Sequence, residues 1–332
     1  MNIRRLLFII ASIAVSAVSL ALILRDVPIS DVIDSLRSAD PVYLLLSLLI
    51  VAISLLTRGV RWWILLNRRI SVVESFHMIN VMFLGNQLPF RLGEVARGLL
   101  ATRRGVPLVT SGTSIVVERL IDLLMLVLLI TATVSLMPEA PAELTDKASL
   151  FGLLALIGFL TLLLFAHAPG SAFRLLSKLL QALPPLKRLP LRTMLSHLLD
   201  GLQPLTDIRT LLLTTVWTVL AWVAALAALY FLHLALGIEV DFVISVPLGI
   251  ALTTLSIAMP VSIAALGPFE VAILVAGQLV GMSDVEAISL GFLLHGINII
   301  SYAVWGTIGL LALGASPAMA FGSKAEKSSE SA

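Results

Sequence analysis

Arg91, Glu94 and Arg97 recur at every third residue in "LPFRLGEVARGLLATRRG", residues 88–105. On a helix this spacing lines one face. One carboxylate between two guanidiniums neutralises one of them and leaves the other for an anion, and the planar guanidinium fork suits phosphate. A second cluster follows in "SIVVERLIDLLML", residues 114–126. There Glu118 and Asp122 lie one turn apart with Arg119 beside them, a surplus of negative charge that needs a cation from elsewhere. Arg91 or Arg97 is the natural donor, so the two segments are expected to touch. Upstream, Arg58 and Arg61 precede Trp62-Trp63. They read first as an interfacial anchor of positive charge and aromatic belt, and second as a lipid-phosphate contact. Glu74 shares a face with His77 and adds a charge-balancing or headgroup candidate. The second half offers only Glu270, then His295, Asn298 and Tyr302 on one face. His295 reads first as a hydrogen-bonder between helices and second, with Glu270, as a proton-coupling pair.

These charges sit in an apolar chain. Of 332 residues, 59% are hydrophobic and 13% charged, with a mean hydropathy of +1.05. Soluble domains carry about 25% charged residues, so the composition describes an integral membrane protein. In hydrocarbon a central Arg or Asp costs about 2.5–3.5 kcal/mol on insertion scales, which makes intramembrane charge a functional hypothesis. The competing reading is an ion network that satisfies itself and holds a turn together. The chain has no cysteine, so disulfides and thiolate chemistry are excluded. Its histidines show no metal-ligand spacing, and no nucleotide loop is recognisable. No catalytic residue, metal or cofactor is expected, and the net charge of +2 suggests no nucleic-acid partner.

The elements that must position the charges are apolar stretches of about 20 residues: 6–24, 42–66, 113–137, 149–168, 210–236 and 287–314. Two further stretches, 72–105 and 242–281, are broken after Pro89 and Pro260 and read as re-entrant hairpins, because non-helical backbone at membrane depth survives only against protein or a wet cavity. The fold expected is all-α and polytopic, with about six transmembrane helices plus two hairpins (eight or so hydrophobic segments). Loops that carry Arg and Lys then fall on one side and acidic loops such as 25–41 on the other. This places both termini in the cytoplasm and the hairpins on opposite faces. The hairpins share a pattern: Glu94, Gly105 and Arg119 keep the same spacing as Glu270, Gly281 and His295. Matched interrupted segments in two halves point to an inverted repeat with a transport site between them. Residues 1–321 form the membrane domain. Within it, 171–208 reads as a cytoplasmic amphipathic segment on an anionic leaflet, and 322–332 as a disordered cytoplasmic tail.

"TRGVRWWILL", "FLGNQLPFRLGEVARGLLATRRGV", "SIVVERLIDLLML" and "MPVSIAALGPFEVAILVAGQLVGM" together resemble the lysylphosphatidylglycerol synthase transmembrane, or flippase-like, family. The resemblance covers about residues 5–315. It implies lipid movement between leaflets, with aminoacylated phosphatidylglycerol as the cargo of two-part members. It carries over onto Arg91, Gly93, Glu94 and Arg97, onto Glu118, Arg119 and Asp122, and onto Glu270. Two departures stand out. Ala264-Ala265-Leu266-Gly267 replaces a glycine pair in the second turn, and His295 replaces an arginine in the last span. No aminoacyltransferase domain follows Phe321, so the chain is not expected to make lysyl-phosphatidylglycerol itself.

The expectation is therefore a non-enzymatic lipid translocase of a bacterial or archaeal cytoplasmic membrane. Arg91, Arg97 and Arg119, with Arg58 and Arg61, would receive lipid phosphate. Glu94, Glu118, Asp122 and Glu74 would balance charge or meet a cationic headgroup. The partners would be membrane phospholipids or polyprenyl-phosphate-type lipids. An alternative is a non-catalytic subunit that presents lipid to a separate glycosyl- or aminoacyltransferase. A membrane enzyme acting on polyprenyl phosphates would want an acidic metal motif such as DDxxD, and none is visible.

Overall fold

The computed structural model describes residues 3–25, 27–88, 92–137, 142–182, 190–258 and 262–321. Every regular element among them is helical: α1 (Ile3–Ile23), α2 (Ile29–Ser38), α3 (Pro41–Leu65), α4 (Val72–Asn86), α5 (Gly93–Arg103), α6 (Leu108–Leu136), α7 (Ala142–His167), α8 (Pro169–Ala182), α9 (Leu191–Leu202), α10 (Ile208–Ala235), α11 (Phe242–Ala258), α12 (Pro268–Gln278), α13 (Asp284–Ala312) and α14 (Pro317–Phe321). Four helices are long and apolar enough to cross a membrane by length and composition: α3, α7 from Thr145, α10 and α13. The α6 helix is as long as α13 but carries Glu118, Arg119 and Asp122 in its middle. The protein is a multi-pass helical membrane protein.

Local chemistry sets the helix ends. Asp40 accepts from Val42 N at 2.7 Å, with Pro41 opening α3. Ser71 and Glu74 form a reciprocal capping box on α4, and Ser283 and Glu286 form one on α13. Both satisfy backbone donors that a helix start leaves free. The α5 and α12 helices end alike, at Gly105 (φ +85°) and Gly281 (φ +79°). Val106 N donates to Ala101 O in the first, and Met282 N to Gly277 O in the second. Glycine takes this left-handed conformation without a Cβ penalty.

The centre is an antiparallel pair, α3 against α10. Ser47 Oγ donates to Ala228 O at 3.0 Å and Ser54 Oγ to Ala221 O at 3.4 Å. Around it the halves cross over: α4 packs on α13, and α11 packs on α6. One core joins α3, α10, α11, α12 and α13 through Leu55, Leu229, Ile250, Phe269 and Leu290. The broken stretches are the short pairs α4/α5 and α11/α12. In the first, a Cβ on Gly93 would collide with the Met82 carbonyl, so only glycine lets α5 begin this close to α4.

Three expectations change. Residues 25–41, read as a loop, contain α2; its Val32 is buried with Ile23, Val27 and Ile288. The apolar face was short and interrupted by aspartates. The amphipathic segment 171–208 holds most of α8 and all of α9, and α9 buries Leu199 and Leu202 against Val117, Ile121 and Leu163 of α6 and α7, so part of its apolar face belongs to protein rather than to a leaflet. Helix ends also shift by several residues, as at Leu108, where α6 begins directly after Pro107. Pro89, Arg91, Pro260 and the tail from Gly322 lie outside the described residues.

Candidate functional site

Glu118 is the hub of the first half. Its carboxylate is 1% exposed and accepts from three arginines. Arg61 Nη2 donates to Oε1 at 3.0 Å, Arg119 Nη2 to the same oxygen at 2.8 Å, and Arg97 Nη1 to Oε2 at 2.8 Å. Arg61 also forks onto Asp122, with Nη1 2.6 Å from Oδ1 and Nη2 3.2 Å from Oδ2. Arg97 Nη2 donates to Glu94 Oε2 at 2.6 Å. Arg61 and Arg97 are both 0% exposed. Each spends its Nη donors on carboxylates, while its Nε has no partner among the described residues. The Arg97 guanidinium lies 4.7 Å over the Trp62 ring, and the Trp62 Nε1–H donates to Ser114 Oγ at 3.0 Å. Such charge-assisted bonds are the strong ones in a low dielectric.

This geometry corrects two readings. Arg61 is no interfacial anchor; it is wholly buried on the face of α3 that meets α6. The Trp doublet after it resembles a membrane belt, yet Trp62 is 0% exposed and forms a platform for Arg97. The cation facing Asp122 is Arg61, from α3, whereas the arginine of the first broken stretch, Arg97, meets Glu118. Glu74 is not brought to the cluster. It caps α4 through Ser71 and pairs with Arg104 at 3.2 Å. Arg91 falls outside the described residues. Arg58 lies beside the cluster, its guanidinium 5.8 Å from the Phe83 ring. No ion pair within 4 Å joins it to a carboxylate among the described residues.

In the second half Glu270 is 0% exposed and opens α12. Its Oε2 accepts from Gly267 N at 2.7 Å, and its Oε1 lies 2.5 Å from His295 Nδ1. His295 Nε2 lies 2.9 Å from the Ala264 carbonyl, and its ring stacks on Phe269 at 4.5 Å between centroids. The turn it touches is unusual. Ala264 (φ +54°), Ala265 (φ +60°) and Gly267 (φ +91°) are all left-handed. The two alanines stand where the resemblance leads one to expect glycines, and the backbone has kept a glycine-like path at a cost of about 1–2 kcal/mol per residue.

Both broken stretches face one cavity of about 110 Å³. Asn86, Gln87 and Glu94 line it from the first, and Ser262, Ala264 and Ala265 from the second. Arg119 of α6 and His295, Asn298 and Tyr302 of α13 complete its polar wall. Gln87 Oε1 and Ser262 Oγ are buried there and have no partner among the described residues. Arg119, with 47% of its side chain exposed, is the least enclosed member of the arginine cluster. Tyr302 stacks on Phe83 at 4.7 Å, an aromatic wall that sequence reading placed on a helix face but did not pair. Among the described residues no group of three or more acidic, histidine or cysteine side chains could hold a metal ion.

A family model described as the lysylphosphatidylglycerol synthase TM region matches residues 9–306. No curated protein and no solved structure matches the chain.

Proposed function

The chain belongs to the lysylphosphatidylglycerol synthase TM region family, and from that premise we propose that it moves a phosphate-headed lipid between leaflets through the cavity between its two broken segments. The family points to a membrane protein of lipid modification or transport; translocation is our reading of the site. The observation that carries it is the meeting of Asn86, Gln87 and Glu94 with Ser262, Ala264 and Ala265 around one polar cavity, with half-exposed Arg119 in its wall.

Charge supports an anionic cargo. Arg58, Arg61, Arg97 and Arg119 face Glu94, Glu118 and Asp122, four cations against three carboxylates. Arg61 and Arg97 are consumed inside the lattice, so Arg119, with Arg58 behind Phe83, is placed to receive a phosphodiester. The cargo class is an anionic, aminoacylated or polyprenyl-phosphate-type lipid. A cavity of about 110 Å³ holds roughly three to four waters at about 30 Å³ each. It therefore takes a phosphate but not a whole headgroup, and the broken segments must part for passage.

The architecture we infer has six spans (α1, α3, α6, α7, α10 and α13) and two re-entrant pairs (α4/α5 and α11/α12) in an inverted repeat. One fixed offset takes Glu94 to Glu270, Ala101 to Gly277, Gly105 to Gly281 and Arg119 to His295. It also takes the start of α6 to the start of α13. The turns after α3 and α10 are alike in form, with left-handed Asn67 and Gly237 each two residues past the helix end, at an offset of 170 rather than 176. The loop charges put both termini on the cytoplasmic side.

Reconstitution tests the reading. Liposomes carry the purified chain and headgroup-labelled lipids of several charges, and an impermeant quencher reports the protected inner pool. Wild type is expected to shrink that pool, whereas folded Arg119→Ala and Glu94→Gln variants leave it near the empty-liposome value. Wild type indistinguishable from empty liposomes for every lipid, with and without an ion gradient, overturns translocation and favours a subunit that presents lipid to a separate transferase.

A further inference from the structure

The cations of the first-half cluster are arginines, which stay protonated at any physiological pH. The second half holds its charge differently. Both ring nitrogens of His295 face acceptors, the Glu270 carboxylate at 2.5 Å and the Ala264 carbonyl at 2.9 Å. A neutral imidazole donates from one nitrogen only. The observed contacts therefore need one further proton, shared between Glu270 and His295. Glu270 Oε2 already accepts the Gly267 N–H, so the proton resides on the Oε1–Nδ1 side. We propose that the Glu270–His295 pair is a proton-binding site, and that one proton ties the turn 262–267 to α13 across the cavity wall.

The consequence of losing that proton follows from hydrogen-bond inventory. The carboxylate retains the stronger, charge-assisted donor at Nδ1. Nε2 then presents a lone pair to the Ala264 carbonyl, and the tether becomes a repulsion. The turn it releases is strained, with Ala264 and Ala265 left-handed, so release also relaxes backbone. Protonation closes the turn over the cavity and deprotonation frees it. One proton moves and no covalent bond to carbon changes.

The surroundings suit this role. Across the cavity stand Arg119 of α6 and Glu94 of α5, paired at 3.6 Å. The α4 helix presents Asn86 and Gln87 there and no charge, and α1 meets the turn through Ser16 and Ser19. Arg58 of α3 stands behind Phe83 and Tyr302. The α2 helix meets α13 at Ile288, so Asp31, Asp34 and Arg37 are not in the lining. His233 of α10 is occupied by Leu229 O and Ser245 Oγ, and His77 of α4 lies beside Gly309, further along α13. An anion in the cavity would thus favour the protonated pair, and by reciprocity protonation would tighten anion binding by the same factor. This makes the proton the coupling ion, a step that rests on the lipid-translocation reading; the proton site itself does not.

The chain has no cysteine, so Ser262→Cys gives a single thiol in the cavity wall. Its labelling by an impermeant maleimide is followed from about pH 5 to about pH 9, a window that spans histidine titration. Each rate is divided by that of the same cysteine in a His295→Arg background, which cancels the rise of thiolate with pH. The ratio is expected near one at the acid end and about tenfold higher at the alkaline end; a ratio flat across the range overturns the tether. Nitrogen-15 NMR of the His295 ring in full-length protein, assigned by its loss in His295→Gln, tests the site without the arginine variant. A doubly protonated ring at low pH that becomes singly protonated supports the proposal, and one unchanging tautomer overturns it. Liposomes with opposed pH gradients then separate the two claims. A titrating His295 with no lipid movement sinks translocation and leaves the proton site. Lipid movement equal in both gradients, and unchanged in His295→Arg, sinks coupling and leaves translocation.

Discussion

Each half has a joint between two short helices, and the two joints are charged in opposite ways. After α4, Glu94, Arg97, Glu118, Asp122 and Arg61 form a lattice in which every carboxylate meets at least one guanidinium. After α11, the second joint is held by one carboxylate and one imidazole, Glu270 and His295. A lattice of several permanent charges is over-determined and tolerates little rearrangement, because removing one partner strands others in low dielectric. A lone titratable pair can be made and unmade by one proton. The difference assigns rigidity to the first joint and motion to the second.

The sharpest way to break this contrast is Glu118→Ala. It leaves Arg61 and Arg97 buried with too few acceptors, and loss of one partner of a buried pair costs about 3–5 kcal/mol. We expect the detergent-solubilised protein to melt far below wild type, or not to accumulate. Glu270→Ala is expected to cost about 1–3 kcal/mol, the usual penalty for leaving buried donors unmet. A melt that drops more for Glu270→Ala than for Glu118→Ala would reverse the assignment. Gly267→Ala probes the moving turn: a Cβ there would stand 2.7 Å from Ser19 Cβ, at φ +91°. A cost of about 1–3 kcal/mol is expected, from strain and crowding together. Ala264→Gly should change stability least, by under about 1 kcal/mol, since relaxed strain is offset by added freedom of the unfolded chain. Equal melting shifts for Gly267→Ala and Ala264→Gly would deny the turn its special geometry.

Much of this frame was readable in the sequence. Hydropathy located every long helix, because a bilayer demands about 20 apolar residues whatever the tertiary contacts. Charges in an apolar run marked Glu94, Arg97, Glu118 and Asp122, since hydrocarbon makes each one costly. Pairing was less legible. Arg61 looked interfacial because its neighbours Trp62 and Trp63 match a membrane belt, and only the rotation of α3 decides which face meets α6. The α2 helix was hidden because its apolar stripe is short, and Glu74 resembled a site residue because capping and ligand chemistry use the same carboxylate. The tether of His295 to Ala264 is made by a backbone carbonyl, which carries no sequence signal.

The lattice around Glu118 also has a history in the making of the chain. Arg61 is synthesised 57 residues before Glu118, and Arg97 21 residues before it. At about 5–20 residues per second, α3 is made several seconds before the carboxylate that Arg61, one turn from the C-terminal end of α3, will meet. The carboxylate made last, Glu118 of α6, is the one that joins α3 and α5 to it.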